Sequence, residues 1–133
     1  MYVGGTVAGL LEQTEGRFDT SSADILAFAS DKKGRAGVSI PYASITELEY
    51  GQKSGRRVGV AVMVSPLGLF SKKRNHYLTI SYTDTAGKDQ AGVFELGKDI
   101  VRTTLKIVET RSGKDIKYQD DEARKSIGGG KGK

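Results

Sequence analysis

The sequence predicts a mainly β domain, a β-rich member of the α+β class, with about seven strands followed by one C-terminal helix. Two observations favour this class. Short runs with alternating apolar residues, separated by turn residues, fill the first 96 positions of the 133-residue chain. Residues 98–111 instead have the apolar spacing of a helix. We expect a single domain over residues 1–118 and a disordered tail over residues 119–133, which are polar and rich in glycine and lysine.

The first five predicted strands lie before residue 51 and are separated by polar turns. They cover residues 6–13, 16–20, 25–30, 37–42 and 45–50. Residues 21–24, with the sequence Ser-Ser-Ala-Asp, predict a turn between the second and third strands. Pro41 cannot donate a backbone hydrogen bond, so we expect the fourth strand to lie at a sheet edge or to end there.

The last two predicted strands form a hairpin. The run over residues 77–82 alternates its apolar side chains onto one face. Residues 84–88 contain a glycine and turn the chain into a second run over residues 91–96. Two such runs around a glycine-containing loop predict an antiparallel pair of strands.

The helix over residues 98–111 is predicted from spacing and from its end signals. Val101, Leu105 and Val108 lie at i, i+4 and i+7, so they form one apolar face that we expect to be buried. Asp99 favours a helix N-terminus and Gly113 a helix stop. Alternate residues of this run are also apolar or β-branched, so a strand is the alternative. The length of the run and the two end signals favour the helix.

Positive charge is concentrated between residues 50 and 83, where the chain has no acidic residue. The basic residues of this window are Lys53, Arg56, Arg57, Lys72, Lys73 and Arg74. Their charge of +6 exceeds the net charge of +5 of the whole chain. Between them lies an apolar stretch, residues 58–70, and we call residues 53–74 the basic-apolar segment. Its candidate apolar contact residues are Val60, Val62, Met63, Leu67, Leu69 and Phe70.

An apolar stretch with positive charge at both ends suits an anionic, partly apolar surface, such as a bilayer or an acidic protein partner. The alternative is burial, because four valines alternate with small residues in the same stretch: Val58, Val60, Val62 and Val64. Such a strand packs in the core or against a second copy of the chain in a homo-oligomer. We do not expect nucleic acid as a partner, since Phe70 is the only Phe, Tyr or Trp among residues 51–76 and single-strand binders stack bases on aromatic rings.

The residues needed for catalysis or for metal binding do not occur together in the sequence. There is no cysteine, and His76 is the only histidine, which we expect at a strand entrance. Asp84 and Asp89 bracket a predicted turn, so we interpret them as solvated turn acids. We therefore expect no enzyme activity, no catalytic or metal site and no cofactor. The first residues lack the pattern of a signal peptide, and the longest apolar run is too short to span a bilayer; both favour the cytoplasm.

The order of the elements resembles the pleckstrin-homology (PH) superfold, and in particular its GRAM-like and bacterial PH-like branches. The residues that carry the resemblance are Gly9–Leu11, Asp24–Phe28, Ser39–Tyr42, Ile45, Glu47–Glu49, Tyr77–Tyr82, Val93–Phe94 and the helix at 98–111. The resemblance covers residues 5–112. It implies a bent sheet of seven antiparallel strands that forms a half-open barrel, with the C-terminal helix closing one end.

Domains of this superfold usually bind phosphoinositides, peptides or other proteins and catalyse no reaction. In the phosphoinositide-binding members the basic residues cluster at the first hairpin, whereas here that hairpin, residues 12–16, is acidic. No binding residue is therefore carried over from the family. We expect a non-catalytic binding module that contacts an anionic membrane surface or ligand through the basic-apolar segment. The alternative is a protein-interaction or homo-oligomerisation scaffold.

Overall fold

The protein is mainly β, as the sequence predicts. The computed structural model describes residues 1–7, 14–31, 37–51, 57–58, 62–63, 76–118 and 125. Of these residues, 54% lie in strands and 19% in helices. The strands are β1 (Tyr2–Gly5), β2 (Gly16–Asp19), β3 (Ile25–Ser30), β4 (Val38–Pro41), β5 (Ile45–Gly51), β6 (Arg57–Val58), β7 (Val62–Met63), β8 (His76–Thr83), β9 (Asp89–Leu96) and β10 (Ile116–Tyr118). A short 3₁₀ helix, Tyr42–Ser44, precedes β5, and helix α1 covers Val101–Ser112.

The described strands form three sheets. A five-stranded sheet has the order β1-β9-β8-β5-β10, a three-stranded sheet has the order β2-β3-β4, and β6 pairs with β7. All pairs are antiparallel except β5 and β10, which are parallel. Tyr2 of β1 and Thr14, just before β2, exchange backbone hydrogen bonds of 2.8 and 3.1 Å. This bridge links the two larger sheets, but the strands of the described residues do not close into a barrel.

Six of the seven predicted strands are confirmed as β2, β3, β4, β5, β8 and β9. Pro41 is the last residue of β4, and β4 is an edge strand of its sheet, as its missing donor predicts. The predicted hairpin is β8 and β9, with Tyr82 opposite Gln90. In its turn Gly87 has a φ of 82°, which a residue without Cβ adopts without strain.

The structure contains strands that the sequence does not predict, and its described strands number ten rather than seven. The predicted run over residues 6–13 lies mostly outside the described residues, and Thr6 and Val7 are not in a strand. The first strand is instead β1, which strand propensity does not predict because two of its four residues are glycines. Gly5 has a φ of 144°, and a Cβ there would collide with the Ala91 carbonyl group. The three residues of β10 are too few to show alternation.

Aromatic rings join the two larger sheets in the core. Phe94 of β9 is fully buried, and its ring centroid lies 4.8 Å from that of Phe18 and 5.2 Å from that of Phe28. Phe18 and Phe28 face each other across β2 and β3, with centroids 5.7 Å apart. Tyr2 adds a fourth ring, 5.3 Å from Phe94. Tilted contacts at these distances are favourable beyond the area they bury.

Helix α1 confirms the predicted helix and excludes the strand alternative. It begins at Val101, after a turn in which the Val101 amide donates to the Gly97 carbonyl oxygen at 3.0 Å. It ends at Ser112, and the next residue, Gly113, has a φ of 74° and donates its amide to the Glu109 carbonyl oxygen at 3.0 Å. The predicted face of Val101, Leu105 and Val108 is buried in the main core.

The C-terminal end of α1 is tied to the β2–β3 turn by Arg111. Its Nη1 donates to the carbonyl oxygens of Thr20 and Ser22 at 2.7 and 2.9 Å. The guanidinium carbon also lies 5.6 Å from the centre of the Tyr42 ring, a cation–π distance. These contacts hold the end of the helix against the β2–β3 turn. A hydrogen bond from a charged donor to a carbonyl oxygen is stronger than one from a neutral donor.

We predict that Leu105→Ala lowers the free energy of unfolding by about 2–5 kcal/mol, because it leaves a cavity in the core. Urea denaturation measures the change. The matched control is Lys106→Ala, an exposed neighbour on the same helix, for which we expect a change of about 0.5 kcal/mol or less. A Leu105→Ala value as small as that of the control would show that Leu105 is outside the core.

Candidate functional site

The basic-apolar segment connects β5 to β8. Gly51, the last residue of β5, pairs with Tyr77 near the start of β8. The two ends of the segment therefore leave from neighbouring antiparallel strands, at one end of the five-stranded sheet. Leu96 of β9 pairs with His76 at this same end, which brings the turn before α1 close to the start of β8.

Three of the predicted contact residues belong to the short pair of strands within the segment. Arg57 pairs with Met63, and Val58 pairs with Val62, in antiparallel register. Val58 and Val62 thus lie on two opposed strands and not along a single one. The other predicted contact residues lie outside the described residues: Lys53, Arg56, Val60, Leu67, Leu69, Phe70, Lys72, Lys73 and Arg74.

His76 and Tyr50, which lie close in sequence to the two ends of the segment, contact each other. His76 is the first residue of β8, as predicted, and its Nδ1 lies 2.6 Å from the hydroxyl oxygen of the fully buried Tyr50. The Tyr118 ring of β10 packs edge-on against Tyr50, with centroids 6.1 Å apart. Burial lowers the pKa of His76, and Lys98 lowers it further while Glu95 opposes the change. The imidazole is therefore neutral at neutral pH and available for a hydrogen bond with the phenol.

Strand β10 ends beside the C-terminal end of β5. Tyr118, the last residue of β10, pairs in parallel with Tyr50, one residue before β5 ends. Lys117 of β10 also forms an ion pair of 3.4 Å with Glu47 of β5. Both side chains are largely exposed, so this pair contributes little to stability. The acidic tail residues 120–122 lie outside the described residues.

The Asp84 carboxylate organises the β8–β9 turn. Its Oδ1 accepts from the amides of Ala86 and Lys88 at 2.9 Å each, and its Oδ2 accepts from the Gln90 side chain at 2.8 Å. The hydrogen bonds from the Lys88 amide and the Gln90 side chain hold the pKa of Asp84 below its usual value. Asp89, the other bracketing acid, is exposed at the start of β9. Among the described residues, no three His, Cys, Asp or Glu side chains lie together as a metal site requires.

Two of the concave regions on the described surface are lined by residues of the predicted elements. The larger, about 570 Å³, separates β2 from α1 and includes Phe18, the exposed Ile100 and Asp99. The smaller, about 270 Å³, lies between β4 and the β8–β9 hairpin and includes Tyr82 and Asp84. Sequence patterns predict neither, because each depends on how strands distant in the chain converge.

Comparison with known proteins gave no match to a family model, to a curated protein or to a solved structure. The resemblance to the PH superfold therefore stays a prediction. No helix in the described part of the chain is long and apolar enough to cross a bilayer.

We predict that stability falls as the pH drops through about 6.5, the unfolded pKa of histidine. The lowered pKa of His76 means that its imidazole takes up a proton more readily in the unfolded chain than in the folded one. The contribution of the neutral His76 to the free energy of unfolding is complete above pH 6.5 and is lost as the pH falls toward the lower pKa of the folded state. Urea titrations between about pH 5 and 7 measure it, a range above that in which Asp19 and Asp84, whose pKa values are lowered, take up protons.

The matched variant for this measurement is His76→Gln, whose side-chain amide can still form a hydrogen bond with Tyr50 but does not titrate. We expect its unfolding free energy to change less between pH 5 and 7 than that of the wild type. Equal pH dependence in the two proteins would show that the proton is not bound at His76.

Proposed function

We propose that this protein is a non-catalytic, PH-like binding module that makes peripheral contact with an anionic membrane surface through the basic-apolar segment. The observation that carries the proposal is the distribution of charge: the connection between β5 and β8 contains six basic residues and no acidic one. Apolar residues 58–70 lie between its two basic groups, so one connection combines the attraction and the apolar contact that binding requires.

The strand order supports the PH-like part of the proposal. With the Tyr2–Thr14 bridge counted as a link, seven strands follow one another in the order β4-β3-β2-β1-β9-β8-β5. Each pair in this succession is antiparallel. A C-terminal helix then packs its apolar face on the core. We infer a bent sheet in a half-open barrel, with β6 and β7 as an excursion between its fifth and sixth strands.

The binding free energy requires both the basic and the apolar residues of the segment. A Lys or Arg near an anionic bilayer contributes about 1 kcal/mol, so six contribute at most about 6 kcal/mol at low salt. All six cannot face one plane, and physiological salt screens charges beyond about 8 Å. Apolar burial, at about 25 cal/mol per Å², therefore has to supply the remainder.

A protein-interaction or homo-oligomerisation scaffold is the second candidate. The short β6–β7 pair favours it, because Val58 and Val62 lie opposite each other in a ribbon of two strands. A two-stranded ribbon is only marginally stable alone and gains from packing against another surface. In a dimer that surface is a second copy of the chain.

The membrane proposal predicts binding to vesicles that strengthens with anionic lipid and weakens with salt. Co-sedimentation with phosphatidylcholine vesicles of increasing phosphatidylserine content, at about 20 and 150 mM salt, measures the bound fraction. The triple variant Lys72→Ala, Lys73→Ala and Arg74→Ala is expected to bind several-fold more weakly. A protein that ignores anionic vesicles at low salt would contradict the proposal.

A matched control separates a local contact from general charge attraction. Lys88, Lys106 and Lys114 are exposed lysines outside the segment, and changing all three to Ala removes the same charge. We expect this control triple to bind nearly as well as the wild type. If the two triples lost binding equally, the attraction would belong to the net charge and not to the segment.

The scaffold candidate predicts a different result, a dimer that dissociates on dilution and is lost in Val62→Asp. A buried carboxylate at β7 would be desolvated in the interface, which opposes association. Sedimentation velocity at several concentrations measures the dimer. A wild type that stays monomeric up to about 100 μM, well above the dissociation constant of a stable dimer, would exclude this candidate.

A further inference from the structure

The smaller concave region lies at the other end of β8 from the basic-apolar segment. Its floor is formed by β8 and β9 close to the turn that joins them, where Tyr82 and Gln90 lie opposite each other. Edge strand β4 forms the facing wall through Val38 and Pro41. Its volume of about 270 Å³ is just below the range of drug-sized pockets, about 300–1,000 Å³, so it suits a smaller ligand.

Tyr82 is the side chain in this cavity that requires a partner. It is only 7% exposed and belongs to the main core. Within the part of the chain that the structure describes, its hydroxyl forms no hydrogen bond. Burial raises the pKa of Tyr82 and the negative charge of Asp84 raises it further, so the phenol stays protonated as a donor and acceptor. A buried hydroxyl is almost always paired with protein, water or ligand.

The polar groups of the lining attract hydrogen-bond donors. Asp84 is ionised and, among the described residues that line the cavity, is the only charged one; the nearby Lys88 is exposed and does not belong to that lining. Because an ionised carboxylate only accepts, Gln90 turns its amide nitrogen to Asp84, which leaves the Gln90 carbonyl oxygen as a further acceptor. Val7, Val38 and Pro41 supply apolar surface beside these groups.

The geometry points to a binding site for a small alkylammonium ion, with its nitrogen among Tyr82, Asp84 and Gln90 and its carbon chain along Val7, Val38 and Pro41. A carboxylate, a carbonyl oxygen and a phenol oxygen together accept the N–H donors of such a cation. Apolar walls with a few convergent polar groups are the usual composition of a small-molecule site. This site goes beyond the proposed membrane contact and does not depend on it.

The test is a titration of the full chain with n-butylammonium chloride, followed by amide ¹H–¹⁵N chemical shifts. We expect saturable shifts confined to residues 38–44 and 82–90, with a dissociation constant on the order of millimolar for so small a ligand. Butanol and butyrate have the same chain without the positive charge, so we expect them to bind at least about tenfold more weakly. Equal shifts with all three compounds, or with sodium chloride alone, would overturn the proposal.

Two variants separate the hydroxyl from the charge. Tyr82→Phe is expected to leave the melting temperature unchanged or higher, because the hydroxyl that it removes has no hydrogen-bond partner among the described residues, and to weaken butylammonium binding about fivefold to tenfold. Asp84→Asn keeps an acceptor for the turn amides but removes the charge. We expect it to lose the preference for butylammonium over butanol. Thr79→Ser, elsewhere on β8, is the control and should bind as the wild type does.

Each outcome of these variants is decisive. A large fall in the melting temperature of Tyr82→Phe would show that the hydroxyl has a partner inside the protein, which removes the basis of the site. Unchanged binding in both variants would place the cation elsewhere. A lysine side chain is also an alkylammonium ion, so the same titration is repeated with N-acetyl-lysine methylamide. Tighter binding of butylammonium identifies the natural ligand as a free amine, and tighter binding of the lysine compound identifies it as a lysine of another protein.

Discussion

The structure depends on the contact of Phe94 with the rings of Phe18 and Phe28. The five-stranded and three-stranded sheets exchange backbone hydrogen bonds only at the Tyr2–Thr14 bridge among the described residues, so side-chain packing has to hold them together. Phe94 is fully buried at the place where both sheets meet. Burial of an aromatic ring of this size removes a large apolar area from water, and the tilted ring contacts add to it.

Strand β8 determines how far apart the two proposed sites lie. Strand β8 passes through the centre of the five-stranded sheet, with the basic-apolar segment at its His76 end and the cavity at its Asp84 end. At about 3.3 Å per residue, its eight residues separate the two ends by roughly 25 Å. Along this length β8 is paired on both edges, with β5 on one side and β9 on the other.

The sequence predicts those parts of the fold that local patterns encode. Alternation identifies β8, and the helical spacing and Gly113 identify α1 and its end. Strand β1 and strand β10 have no such pattern: one contains two glycines, and the other is held in place by its parallel partner β5. Strand propensity depends on a residue and its neighbours in sequence, whereas β1 and β10 are strands because each forms hydrogen bonds with a strand that is distant in the sequence.

The same distinction applies to the candidate sites. The charge of the basic-apolar segment is a property of composition, so it is visible without any structure. The cavity at Tyr82 is not, since it requires β4 and the β8–β9 hairpin to converge from positions some forty residues apart. Its signals are a buried hydroxyl that has no hydrogen-bond partner within the described ranges of the chain and an ionised neighbour, and both are properties of the folded chain.

The parallel pairing of β10 with β5 has a consequence for folding during synthesis. Ile116 pairs with Leu48, so one edge of β5 is uncovered until the last strand of the sheet has left the ribosome. Contacts between residues so far apart in the chain form slowly, because a long loop must close first. During that interval the nascent chain presents an open strand edge, the surface on which chaperones act and from which aggregates grow.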